Sequence, residues 1–150
     1  MKRILALSLA GMALVLAACS GGATKKTWGG FDVSLASQKA GPDGFVADVE
    51  IKNNTNKTQI LQYNPPAKYT LVVTQGKNEV FRADYGALQK AELLNILPKA
   101  AQPHVVGWSY QDKTGKKVAP GSYQVQIYIH AVTTATKGEV SIGPVAVTVK

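Results

Sequence analysis

At 150 residues the chain has the length of one compact domain, and its 45% apolar content is enough to build a core without cross-links. It carries 17 Lys and Arg against 9 Asp and Glu, a formal net charge of +8, yet it has a single cysteine, so a disulfide framework and a cysteine-built metal site are excluded. The lysines are scattered rather than set along one face with interleaved aromatics, which argues against nucleic acid as a partner.

The first 18 residues read as a secretory signal. Lys2 and Arg3 give a positive start, residues 4–16 an apolar run, and Ala17-Ala18 a small-residue exit. The run is shorter than the roughly 20 residues a membrane-spanning helix needs, which disfavours a permanent transmembrane anchor. The residues Leu16-Ala17-Ala18-Cys19 resemble the lipobox of bacterial lipoproteins. That resemblance implies a diacylglyceryl group on Cys19, cleavage before it, and a further acyl chain on the freed amine. Each buried methylene contributes about 0.8 kcal/mol, so two or three chains hold a protein stably on a membrane. The expected location is therefore the cell envelope, and Ser20 in place of Asp favours the outer membrane where the cell has one. Without Lys2 and Arg3 the mature chain keeps 15 basic residues against 9 acidic, a formal +6.

Residues 19–27 are small, polar and Gly-containing, the composition of a flexible tether, and the folded domain is expected over residues 28–150. From Trp28 onward, short β-rich runs alternate with turn residues and helical periodicity is almost absent. Phe45, Ala47, Val49 and Ile51 face one way while Val46, Asp48, Glu50 and Lys52 face the other, the pattern of a half-buried strand. Residues 53–58 (NNTNKT) turn the chain, ILQY resumes it, Pro65-Pro66 interrupts, and YTLVVT follows. Gly76-Lys77-Asn78 predicts a hairpin into EVFRA. Residues 84–103 are ambiguous between helix and strand, and a connection with one short strand is expected there. Tyr123, Val125, Ile127 and Ile129 then alternate with Gln124, Gln126, Tyr128 and His130, and a last segment broken by Gly143-Pro144 reads as a kinked edge strand. Strands of this length and spacing predict an all-β, antiparallel β-sandwich without a disulfide.

The run GWSYQDKTGKKVAPGSYQVQIYI is similar to a module of secreted bacterial immunoglobulin-like domains, through Trp108, Gly115, Pro120, Gly121 and Tyr123. Gly115 permits the positive φ of a turn, Pro120 and Gly121 redirect the chain, and Tyr123 opens the next strand with a ring to bury. Together with the upstream segments VEIKNNTNKTQILQY and KYTLVVTQGKNEVFRA, the order resembles the BsuPI family, named for an intracellular proteinase inhibitor. The resemblance runs over residues 46–131 and implies an immunoglobulin-like fold and a non-catalytic, protein-binding role, with a serine protease or another envelope protein as partner. It implies no reactive bond.

The inventory of reactive groups agrees with a chain that is not an enzyme. His104 and His130 are the only histidines, no Ser-His-Asp order or HExxH is present, and each histidine is expected to be hydrogen-bonded or exposed rather than a metal ligand or base. No cofactor and no metal is expected. Two loops are candidate contacts: Pro65, Pro66, Ala67 and Lys68, stiffened by proline, and the segment carrying Tyr85, Leu88, Gln89 and Lys90, whose side chains suit a protease pocket. The alternative for these residues is structural, with the prolines stopping the sheet and Leu88 plugging one end of the sandwich. The alternative for the chain is an envelope scaffold that binds another protein or wall polymer through loops and strand edges.

Overall fold

The computed structural model describes residues 24–136 and 138–150. Within them the strands are β1 (Lys25–Trp28), β2 (Phe31–Ala40), β3 (Phe45–Asn53), β4 (Gln59–Tyr63), β5 (Ala67–Gln75), β6 (Asn78–Ala87), β7 (Glu92–Ile96), β8 (Ala101–Trp108), β9 (Gly121–Ile129), β10 (Ala131–Thr133) and β11 (Val140–Val149). All pairings are antiparallel. One sheet has the order β1-β2-β3-β8, the second β11-β9-β5-β6, and a small third sheet β10-β4-β7. The chain is an all-β sandwich, as its alternation predicts.

The period of two decides which side chains enter the core. In β3 Phe45, Ala47, Val49 and Ile51 are buried, and in β9 Tyr123, Val125, Ile127 and Ile129. These faces meet Phe31 and Val33 of β2 and Leu71 and Val73 of β5 in one apolar cluster. Each fully buried large aliphatic or aromatic side chain contributes about 1.5–3 kcal/mol relative to exposure. The predicted hairpin is present, with Gln75 opposite Asn78 across Gly76-Lys77. The kinked edge is present too, since β11 is paired on one side only and its register shifts between Ile142 and Val145, around the cis Gly143–Pro144 bond.

The module that carried the family resemblance is a packing unit at one end of the sandwich, the tryptophan end. The Trp108 ring meets those of Tyr110 and Tyr123 edge to face, at 5.1 and 5.2 Å between centroids, and its Nε1 donates to the Gln111 carbonyl at 2.7 Å. Gly115 has φ 83° in a turn where Asp112 Oδ1 accepts from Thr114 N and Oγ1 and from Lys116 N. Beyond Pro120 and Gly121, the Tyr123 hydroxyl donates to the Ala119 carbonyl at 2.7 Å, the tyrosine corner that ties a strand start to the chain before it.

Three expectations are corrected. The sheet begins at Lys25, three residues inside the expected tether: β1 pairs with β2 and Lys25 Nζ lies 3.1 Å from Asp32 Oδ2. Residues 84–103 contain the short strand expected, β7, but β6 runs into this segment as far as Ala87 and β8 occupies it from Ala101. His104 is neither exposed nor hydrogen-bonded through Nε2: its ring stacks on Tyr69 at 4.0 Å and 9°, and Nε2 is buried with no partner among the described residues. It lies opposite Val49, on the core face of β8, so the sheet register carries an imidazole inward. Cys19 and the signal segment fall outside the described residues.

Asn53, at the end of β3, holds the other end of the sandwich together and is 0% exposed. Its Nδ2 donates to the carbonyls of Lys57, Ile96 and Leu97 at 2.7, 2.9 and 3.1 Å, and its Oδ1 accepts from Thr55 N and Oγ1 at 2.9 and 2.8 Å. One amide thereby closes the β3–β4 turn and fastens it to the end of β7.

Candidate functional site

The two candidate loops, separated in sequence by the β5–β6 hairpin, lie side by side. The β5–β6 ladder pairs Ala67 with Ala87, and one step further Leu88 N–H donates to the Pro66 carbonyl at 2.8 Å. Pro65-Pro66, a cis pair, and residues 88–91 thus form one surface at the end of the sandwich opposite Trp108. Hairpin arithmetic carried the signal for this: a two-residue turn at Gly76-Lys77 sets Pro66 near Ala87 whatever the details of the register.

The candidate residues divide into a surface group and a supporting group. Pro65, Pro66, Gln89 and Lys90 are exposed. Ala67 is 1% exposed, which corrects the expectation that it presents itself to a partner, and Leu88 packs against the core, the structural alternative its sequence allowed. Tyr85 is corrected as well, because its hydroxyl donates to the Gly107 carbonyl and accepts from Gly107 N–H at 3.3 Å, so it bridges to β8 instead of reaching outward. Lys68 crosses Gly86, sits 5.1 Å from the Tyr63 ring centroid and ends 2.6 Å from Glu92 Oε1. Gly86, with φ 66°, gives that side chain room: an added Cβ would stand 3.1 Å from Lys68 Cγ and Cδ.

Beneath the loops lies a buried polar layer. The hydroxyls of Tyr63 and Tyr69 share a hydrogen bond of 2.7 Å. Burial pushes both phenols up, Tyr69 to about 12, so both are neutral in ordinary buffers. Burial first, and the Lys68 charge second, hold the His104 imidazole below its ordinary value.

His130 brackets the proline loop with its backbone. Its carbonyl accepts from Asn64 N–H at 2.8 Å and its N–H donates to the Lys68 carbonyl at 2.9 Å. Its ring joins Thr70 Oγ1 through Nε2 and Glu139 Oε1 through Nδ1, both at 2.6 Å, and Thr70 Oγ1 donates to Asp84 Oδ1 at 2.6 Å. A hydroxyl, an imidazole and a carboxylate in line have the order of a nucleophile, its base and an orienting acid. Two facts remove that role: the Thr70 hydroxyl is already committed to Asp84, and Thr70 is 3% exposed. The chain of four groups therefore braces the sheet under the loops. Sequence reading left Asn53, Glu92, Thr70 and His130 out of the candidate site, because each acts through a contact far away in sequence.

A groove of about 600 Å³ lies near the β2–β3 turn, walled by Phe45, Val46, Phe81 and Trp108, with Tyr85 also lining it. It contains no cluster of reactive groups, and among the described residues no set of His, Cys, Asp and Glu could hold a metal ion.

No curated protein matches the chain along its sequence. Among solved structures, a β-glucosidase from Kluyveromyces marxianus is similar over 75% of this chain and 15% of its own, at 15% identity and a TM-score of 0.36, too slight a likeness to carry an argument. The model of the BsuPI family, intracellular proteinase inhibitor, matches residues 31–134, from the first core residue of β2 through β10. The match holds the Asn53 turn, both joined loops and the Trp108–Tyr123 unit, and the chain belongs to the BsuPI intracellular proteinase inhibitor family.

Proposed function

We propose that the chain is a non-catalytic protease-binding domain, anchored at the cell envelope by lipid on Cys19, that meets its partner with the surface where Pro65-Pro66 and residues 88–91 lie together. The observation that carries this reading is the hydrogen bond between Leu88 N–H and the Pro66 carbonyl, which makes two short segments one stiffened surface. A surface ordered before association avoids much of the entropy loss that binding otherwise incurs. The family match supports the inhibitor role, and the sequence of residues 16–19 supports the anchor.

Titrating a serine protease with the protein tests the first part: activity should vanish near a 1:1 ratio with the inhibitor chain intact, and replacing Pro65-Pro66 or Gln89-Lys90 by Gly-Ser should abolish the effect. Cys19→Ser tests the second, and should leave the protein unprocessed or release it from the membrane fraction. Unchanged processing and attachment would remove the lipid anchor. A second reading, an envelope scaffold, draws support from β7, an edge strand whose Leu93 is 66% exposed and is followed by Leu97 at 64%. Capture of a partner that Leu93→Lys abolishes, with protease inhibition absent, would favour it.

A further inference from the structure

We infer that the partner of the joined loops is a serine protease whose primary specificity pocket takes a basic side chain, and that Lys90 is the residue that enters it. The inference rests on the protease-binding reading and narrows it to one class of partner.

The structure leaves few side chains free to enter a pocket. Pro65 and Pro66 are exposed but short and ring-closed, and Ala67 is buried. The Lys68 ammonium is held by Glu92, the Tyr85 hydroxyl by Gly107, and the Leu88 side chain by the core. Ala91 offers only a methyl group. Gln89 and Lys90 remain, adjacent, exposed and at the tip of the link between β6 and β7. Of the two, Lys90 has the longer reach and a full charge, and it makes no ion pair among the described residues. The nearest acidic residue in sequence, Glu92, is already engaged by Lys68.

The backbone that carries Lys90 is fixed at both ends. On one side Leu88 is bonded to Pro66 and packed on the core; on the other Glu92 lies opposite Tyr63 in the β4–β7 ladder and is ion-paired. A four-residue link held this way loses little freedom on docking, and a held link resists the opening that hydrolysis of its own peptide bonds requires. An uncompensated ammonium on a fixed link complements a pocket with a carboxylate at its base, the device by which trypsin selects Lys and Arg. Within the joined loops a pocket selective for large apolar side chains finds only Leu88, which is packed on the core; the exposed Leu93 lies outside them, in the β7 ladder.

The test uses the full chain in detergent, with trypsin and subtilisin assayed on small chromogenic substrates. Trypsin should be inhibited near 1:1, with the Lys90–Ala91 bond intact by mass spectrometry. Lys90→Ala should weaken inhibition about 100-fold, the loss expected of a central anchor, and Lys90→Leu should move inhibition toward subtilisin. Lys39→Ala, an exposed lysine at the other end of the sandwich, should change nothing. Trypsin inhibition indifferent to Lys90→Ala, wild-type inhibition of subtilisin in preference to trypsin, or rapid cleavage after Lys90 without inhibition would each overturn the assignment of Lys90. The first two leave protease binding standing. Failure to inhibit either enzyme removes the protease-binding reading, and this inference with it.

Discussion

Replacing Asn53 should cost more stability than any other single polar substitution at the proline end. Its amide has two hydrogens shared among three carbonyls and an oxygen accepting from two Thr55 donors, so about four full hydrogen bonds are lost in Asn53→Ala. At about 1 kcal/mol each for bonds inside a protein, the expected loss is about 4 kcal/mol, a large part of the roughly 5–15 kcal/mol that holds a typical domain folded. For a domain of this size that lowers the melting temperature by on the order of 15 °C. Asn53→Asp is the sharper test, because it keeps the acceptor toward Thr55 and turns the other oxygen toward the carbonyls of Lys57, Ile96 and Leu97. At neutral pH it should cost at least as much as alanine. In acid a protonated carboxyl regains a donor, so the deficit relative to wild type should shrink as the pH falls. Urea unfolding followed by circular dichroism at pH 7.5 and pH 4.5 measures both. A cost below about 1 kcal/mol for Asn53→Ala, or an Asn53→Asp deficit that grows in acid, would refute the reasoning.

Other substitutions probe the remaining supports. His104→Phe keeps the stack on Tyr69 and removes a buried nitrogen that has no partner among the described residues, so it should stabilise the fold by about 1 kcal/mol. Because burial lowers the folded pKa of His104 below 6.5, the wild-type ring contributes stability that is complete above that value and is lost as the pH falls through the folded one. The difference in urea midpoint between His104→Phe and wild type should therefore widen between pH 7.5 and pH 5, and a constant difference would count against it. Tyr123→Phe removes only the bond to the Ala119 carbonyl and should cost about 1 kcal/mol with an unchanged denaturant slope. Gly86→Ala places a side chain at φ 66° and against Lys68, and should cost about 1–2 kcal/mol, seen as a lower melting temperature.

The sandwich was legible wherever one face of a strand is buried and the other wet, as in β3 and β9, because a period of two then writes the burial pattern into the residue order. β1 was not legible, since Lys25, Lys26 and Thr27 are all exposed and have no apolar alternation; their strand exists because β2 offers a free edge. β8 was obscured by Pro103, and by His104, which looks polar and faces inward. The Asn53 turn was recognisable as a turn, but not its bonds to Ile96 and Leu97, because a side-chain amide gives no sign of partners more than forty residues away. At the candidate site, the exposed proline pair and Lys90 were readable as surface residues. Lys68 and Tyr85 were misread as free for one reason: charge and hydroxyl name what a side chain can bind, and the fold decides whether it is already bound; Leu88 follows the structural alternative that its bulk also allowed.

The bridge from Tyr85 to β8 bears on how many copies of this protein can be crowded together. Gly107 turns both its backbone groups to Tyr85, away from β3, so Val105 and Pro103 turn theirs the same way along that rim. Pro103 has no N–H to offer, and Gly107 is taken, which leaves Val105 alone between them. Between Pro103 and Gly107, a neighbouring chain trying to continue the sheet finds one residue that offers both a donor and an acceptor. Copies of the protein brought side by side are thus hindered from zipping into a continuous sheet along that stretch of the rim.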